Sequence, residues 1–92
     1  MPVTVHLSGH LKAHSNGELE IKVPGQFYSV GDVLDELWRR HPPLRDRILT
    51  EQGEIRQHVN VFTGSGDVKK LQGLETVLDT DEIHIFNAVS GG

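Results

Sequence analysis

Apolar and polar residues alternate along much of this chain. Val3, Val5 and Leu7 alternate with Thr4, His6 and Ser8, the period of two that turns one face of a strand to a core and the other to water. Gly9 closes the run. After a polar loop through Ser15, Asn16 and Gly17, Leu19, Ile21 and Val23 alternate with Glu18, Glu20 and Lys22. This predicts a second strand, ended by Pro24 and Gly25 and joined to the first as a hairpin with a long loop. The period then changes. Val30, Val33, Leu34, Leu37 and Trp38 stand at i, i+3, i+4, i+7 and i+8, one apolar stripe on a helix of about three turns. Ser29 and Asp32 have capping-box spacing at its start, and Pro42 and Pro43 stop it. Trp38 reads as a plug between this helix and the sheet.

Leu44 to Leu49 is a short amphipathic helix with Leu44, Ile48 and Leu49 on one side, Pro43 suited to its first turn and Gly53 past its end. Val59 and Val61 alternate with Asn60 and Phe62 as a third strand. Gly64 to Asp67 is a turn, and Val68 to Leu71 is predicted as a short edge strand guarded by Lys69 and Lys70. Leu74, Val77 and Leu78 suggest a turn of helix. Ile83 and Ile85 then mark a last strand, and the chain finishes Ala88-Val89-Ser90-Gly91-Gly92. Two strands, a crossover helix and further strands suit one main helix on one face of a single sheet, an α+β domain. The first and last strands, both apolar on one face, fit side by side in its middle. The expected division is a body over 1–87 and a flexible tail over 88–92.

Composition narrows the chemistry. Ninety-two residues support one domain with one modest core. Thirteen acidic against nine basic side chains give a formal charge of −4. Arg39-Arg40 and Lys69-Lys70 are too short to follow a phosphate backbone, so a nucleic-acid partner is not expected, whereas a basic protein partner is. No stretch has the length and apolarity of a membrane span or a secretory leader, so the expected location is cytoplasmic and no membrane partner is implied. With no cysteine, disulfides and thiolate chemistry are excluded. No nucleophile, base and orienting acid form a recognisable set, and Gly64-Ser65-Gly66 lacks the lysine and spacing of a phosphate loop; the chain does not read as an enzyme. His6, His10 and His14 are spaced by four, with His41, His58 and His84 also available. Four suits a helix face, but His6 lies in an alternating strand and Gly9 interrupts the run, so no metal site is expected from this pattern.

The two closing glycines have no side chains and no bulk beside the α-carboxylate. Five residues from Ala88, extended at about 3.3 Å each, reach about 16 Å, enough to thread a narrow slot in another protein. If Val59, Val61, Ile83 and Ile85 face the core, Phe62 and Phe86 face outward near the base of this tail and are candidate docking anchors.

The chain resembles the MoaD/ThiS family of ubiquitin-like sulfur carriers. The resemblance is carried by Val3 to Leu7 (Val-Thr-Val-His-Leu), by Ser29 to Leu37 (Ser-Val-Gly-Asp-Val-Leu-Asp-Glu-Leu) and by His58 to Phe62 (His-Val-Asn-Val-Phe). It is densest from Leu71 to Ile85 and in Ala88 to Gly92. The connection from Pro42 to Gln57 is most similar to carriers that serve cysteine biosynthesis. Two features depart from the family: Thr63 to Asp67 where an Asn-Gly turn is common, and Asn87 where tails often carry proline.

The resemblance implies a β-grasp fold with a mixed sheet of four to five strands. It also implies a working group at Gly92, whose carboxylate is adenylated by an ubiquitin-activating-like adenylyltransferase that itself uses ATP and Mg²⁺. A sulfurtransferase or sulfide then leaves a thiocarboxylate for a sulfur-accepting biosynthetic enzyme. Ala88, Val89, Ser90 and Gly91 are implied to thread into these partners, with no cofactor bound by the chain itself. The alternative use of the same group is conjugation to lysines, as a protein modifier.

Overall fold

Parallel pairing of the first and last strands organises the molecule, a computed structural model that describes residues 2–64 and 66–87. β1 (Val3–Leu7) pairs antiparallel with β2 (Glu20–Val23) and parallel with β5 (Glu82–Asn87). On its other side β5 pairs antiparallel with β3 (Val59–Thr63), and β3 carries a two-residue edge strand, β4 (Gly66–Asp67). The sheet order is β2-β1-β5-β3-β4. A hairpin, a crossover helix and a parallel central pair make this the expected β-grasp fold.

The register explains the core. Val5 opposes both Ile21 and Ile83, and Ile85 opposes both Leu7 and Val61, so inward residues form continuous rows across the central strands. The long helix α1 (Val30–Arg40) lays its whole predicted stripe on that face, and Trp38 is only 9% exposed. Burying each such Val, Leu or Ile contributes about 1.5–3 kcal/mol, which holds the crossover in place. Both halves of the capping box form at the start of α1: Asp32 N–H donates to Ser29 Oγ, and Ser29 N–H donates to the Asp32 carboxylate, each at 3.2 Å. The short helix α2 (Pro42–Ile48) packs on α1 through Leu44 and Ile48.

Three segments differ from the sequence expectation. The loop after β1 holds a 3₁₀ turn, Gly9–His14, which sends Leu11 into the core cluster. It closes through Ser15, whose hydroxyl donates to the Glu18 carbonyl at 2.5 Å. Leu19 lies outside the β1–β2 pairing that begins at His6↔Glu20 and is 42% exposed. Val68 to Leu71 is not the edge strand. The edge is Gly66–Asp67, and Val68–Lys70 is a 3₁₀ turn because the Asp67 carboxylate accepts from Lys69 N–H at 2.9 Å, capping a helical turn where an extended segment would leave it idle. The turn expected near Leu74 is 3₁₀, Gly73–Glu75; Leu74 and Leu78 pack on the core while Val77 is exposed and bridges Ser29.

Candidate functional site at the open sheet face

Among the described residues the sheet has one face under α1 and one without a helix, and β5 decides what the second presents. Ile83 and Ile85 are buried, so Glu82, His84 and Phe86 project to the other side. Neighbouring strands add to the row. Thr4 pairs with Glu82 and His6 with His84 on one flank, while Phe62 opposes His84 and Asn60 opposes Phe86 on the other.

Phe62 and Phe86 are therefore diagonal neighbours across β3 and β5. Their rings stack with centroids 5.3 Å apart and planes 5° from parallel, a geometry that contributes about 0.5–1.5 kcal/mol beyond area burial. Phe86 is 38% exposed, whereas Phe62 is only partly exposed. Both aromatic residues singled out from the sequence thus lie on the outward face, with Phe86 the more accessible.

Beside them His6 and His84 stack with centroids 4.5 Å apart and planes 10° from parallel, and His6 Nε2 lies 2.9 Å from Glu82 Oε1. This cluster is not the His6, His10, His14 set suggested by helical spacing. His10 and His14 belong to the 3₁₀ turn, and His6 meets instead a residue 78 positions later. The signal for that pairing was the alternation of β1 and β5, which fixes the facing of both histidines; which residue opposes which needed the strand order. Of the other histidines, His58 is exposed and His41 sits between α1 and α2, its Nε2 3.4 Å from Glu18 Oε2.

The root of the tail is held by the sheet. Asn87 pairs with Val59, and its N–H donates to Ser8 Oγ at 3.4 Å. Its Oδ1 is buried and without a hydrogen-bond partner among the described residues. Ala88, Val89, Ser90, Gly91 and Gly92, the residues read as the working tail, lie outside the described residues. Elsewhere, an open groove between Gly53–Ile55 and Lys69–Glu75 is lined by Glu54, Lys69 and Glu75, with no hydroxyl, thiol or imidazole side chain in its wall. Among the described residues no helix is long and apolar enough to cross a membrane.

Comparison with known proteins adds to this geometry. Small archaeal modifier protein 3 of Haloferax volcanii is 40% identical over 65 residues, covering 70% of each chain. Small archaeal modifier protein 1 of the same organism is 39% identical over 64 residues, again 70% of each. Among solved structures, the Amycolatopsis orientalis BexX/CysO complex contains a chain similar to this one at TM-score 0.83 and 31% identity, over 98% of this chain and 99% of that one. SAMP1 from Haloferax volcanii is similar at TM-score 0.81 and 29% identity over the whole of both chains. The model of the ThiS family matches residues 5–92, a span that takes in β2 to β5 and the last three residues of β1, the stacked aromatic pair and the closing glycines, and the chain belongs to that family.

Proposed function

We propose that this protein is a cytoplasmic sulfur carrier whose working group is the Gly92 carboxylate. The observation that carries the reading is the family match running through Gly92, on a chain whose last strand ends at Asn87 beside the exposed Phe86. A carboxylate is a poor electrophile. In a partner adenylyltransferase a Gly92 oxygen attacks the α-phosphorus of ATP, the α–β phosphoanhydride bond breaks, and Mg²⁺-bound pyrophosphate leaves. Hydrosulfide then attacks the acyl carbon, the bond to AMP breaks, and a thiocarboxylate remains. If the donor is a protein persulfide, the acyl disulfide formed first is cleaved by a second thiol. The carrier supplies position rather than catalysis: Phe62 and Phe86 dock the partner while Ala88, Val89, Ser90 and Gly91 occupy its channel. With no cysteine in the chain, no internal thiol competes for the acyl adenylate.

Cysteine or a related sulfur metabolite is the product this reading favours, supported by the Pro42 to Gln57 connection and the likeness to the CysO chain. A second reading, conjugation of Gly92 to lysine amines, is favoured by the two relatives named as modifiers. Intact mass after incubation with an adenylyltransferase, ATP and sulfide tests the first. One oxygen replaced by one sulfur is expected in the full chain, and no change in a chain lacking Gly91 and Gly92. A gain that persists in the truncated chain overturns it. Covalent ladders in lysate that vanish on deleting Gly92 distinguish the second.

A further inference from the structure

We infer that His6, Glu82 and His84 form a binding site for a divalent transition-metal ion of the zinc type on the open face of the sheet. Two imidazole nitrogens and one carboxylate oxygen are available there, and the candidate ligand atoms all lie within 4.8 Å of one another. The scaffold is the paired centre of the sheet. His6 and His84 are register partners in the parallel central pair, and Glu82 is two residues before His84 on the same face. Both central strands are backed by fully buried core residues, Val5 and Ile83 among them. The carboxylate reaches His6 Nε2 at 2.9 Å, and the two stacked rings have to turn about their side-chain bonds for their in-plane nitrogen lone pairs to meet at one ion.

Zinc bonded at about 2.1 Å to each ligand holds tetrahedral neighbours about 3.4 Å apart. Ligation therefore asks the His6–Glu82 pair, at 2.9 Å, to spread slightly and the wider separations, up to 4.8 Å, to close by side-chain rotation. The donor set selects the metal class. Imidazole nitrogen suits zinc, copper, nickel and cobalt, while calcium and magnesium prefer all-oxygen shells. The side chains of His6 and Glu82 are 30% and 55% exposed, so an ion can enter from solvent, and its remaining positions stay open to water or to a group from a docked protein. The site is independent of the carrier reading, since it uses no residue of the tail.

The test is titration of the untagged full chain with zinc chloride, followed by calorimetry and by the ring proton resonances of all six histidines. One saturable site is expected, with the His6 and His84 rings shifting and those of His10, His14 and His58 unmoved. His84→Ala and His6→Ala should each weaken binding at least about tenfold, the lower end of what losing even an outer-shell partner costs, and His10→Ala should leave it unchanged. Zinc should also raise the melting temperature of the native chain and not of His84→Ala. Should His84→Ala fold poorly, His84→Gln and the ring shifts of the native chain decide the matter. Absence of any saturable shift in the His6 and His84 rings, or undiminished binding by a folded His84 variant, overturns the assignment.

Discussion

Gly31, in the first turn of α1, lies against the backbone of Leu74: a Cβ at this position would stand 2.9 Å from the Leu74 carbonyl oxygen. The contact is one of several that clamp the helix start to the segment leading into β5. Val30 N–H donates to the Thr76 carbonyl, and Leu78 N–H donates to the Tyr28 carbonyl, each at 2.9 Å. Glycine in an exposed helix costs about 1 kcal/mol relative to alanine, so Gly31→Ala would ordinarily stabilise. Here a backbone atom cannot rotate away, and the overpacking cost of about 1–3 kcal/mol prevails. A lower urea midpoint is expected for Gly31→Ala; a higher one would show that this clamp yields.

The stacked pair gives a second expectation. Phe62→Ala and Phe86→Ala, combined in a double-mutant cycle, should show a coupling of about 0.5–1.5 kcal/mol in stability. Under the proposed function the double variant should also be adenylated more slowly by its partner while retaining its fold. Unchanged activation kinetics would remove these rings from the docking surface.

Removing the capping hydroxyl should cost less. Ser29→Ala forfeits the bond to Asp32 N–H, about 1 kcal/mol, which in a domain of this size lowers the melting temperature by about 4–8 °C. Ser29→Asp, which restores an acceptor, should recover most of the loss.

Leu11 tests whether the 3₁₀ turn belongs to the core. It is 1% exposed, and truncation to alanine leaves a cavity costing about 2–5 kcal/mol. Leu19→Ala, at an exposed neighbour in the same connection, should cost under about 0.5 kcal/mol. Chemical denaturation of the two variants compares them directly.

At the root of the tail, the buried Oδ1 of Asn87, without a partner among the described residues, carries a desolvation cost of about 1–3 kcal/mol. Asn87→Val keeps a strand-forming residue opposite Val59 and removes that acceptor. An equal or higher melting temperature is expected, and a marked loss would show that the amide makes a compensating contact.

The sequence by itself determined the elements whose information is local. The stripe from Val30 to Trp38, the Ser29 and Asp32 cap and the alternation of Val3 to Leu7 and of Ile83 to Ile85 each follow from the period of a helix or strand meeting a core. Those periods also fix which way Phe62, His84 and Phe86 face. The resemblance carried the β-grasp topology and pointed to the chain's end. Tertiary structure decided what no local period encodes. It placed Leu11 in the core and left Leu19 out, because burial depends on where strand pairing begins as well as on hydropathy. It turned Val68 to Lys70 into a 3₁₀ turn, because the Asp67 carboxylate competes locally with sheet pairing. It brought His6 against His84 and Phe62 beside Phe86, because strands distant in the chain become neighbours only when the crossover helix closes the sheet, and the register that then forms sets which side chains meet.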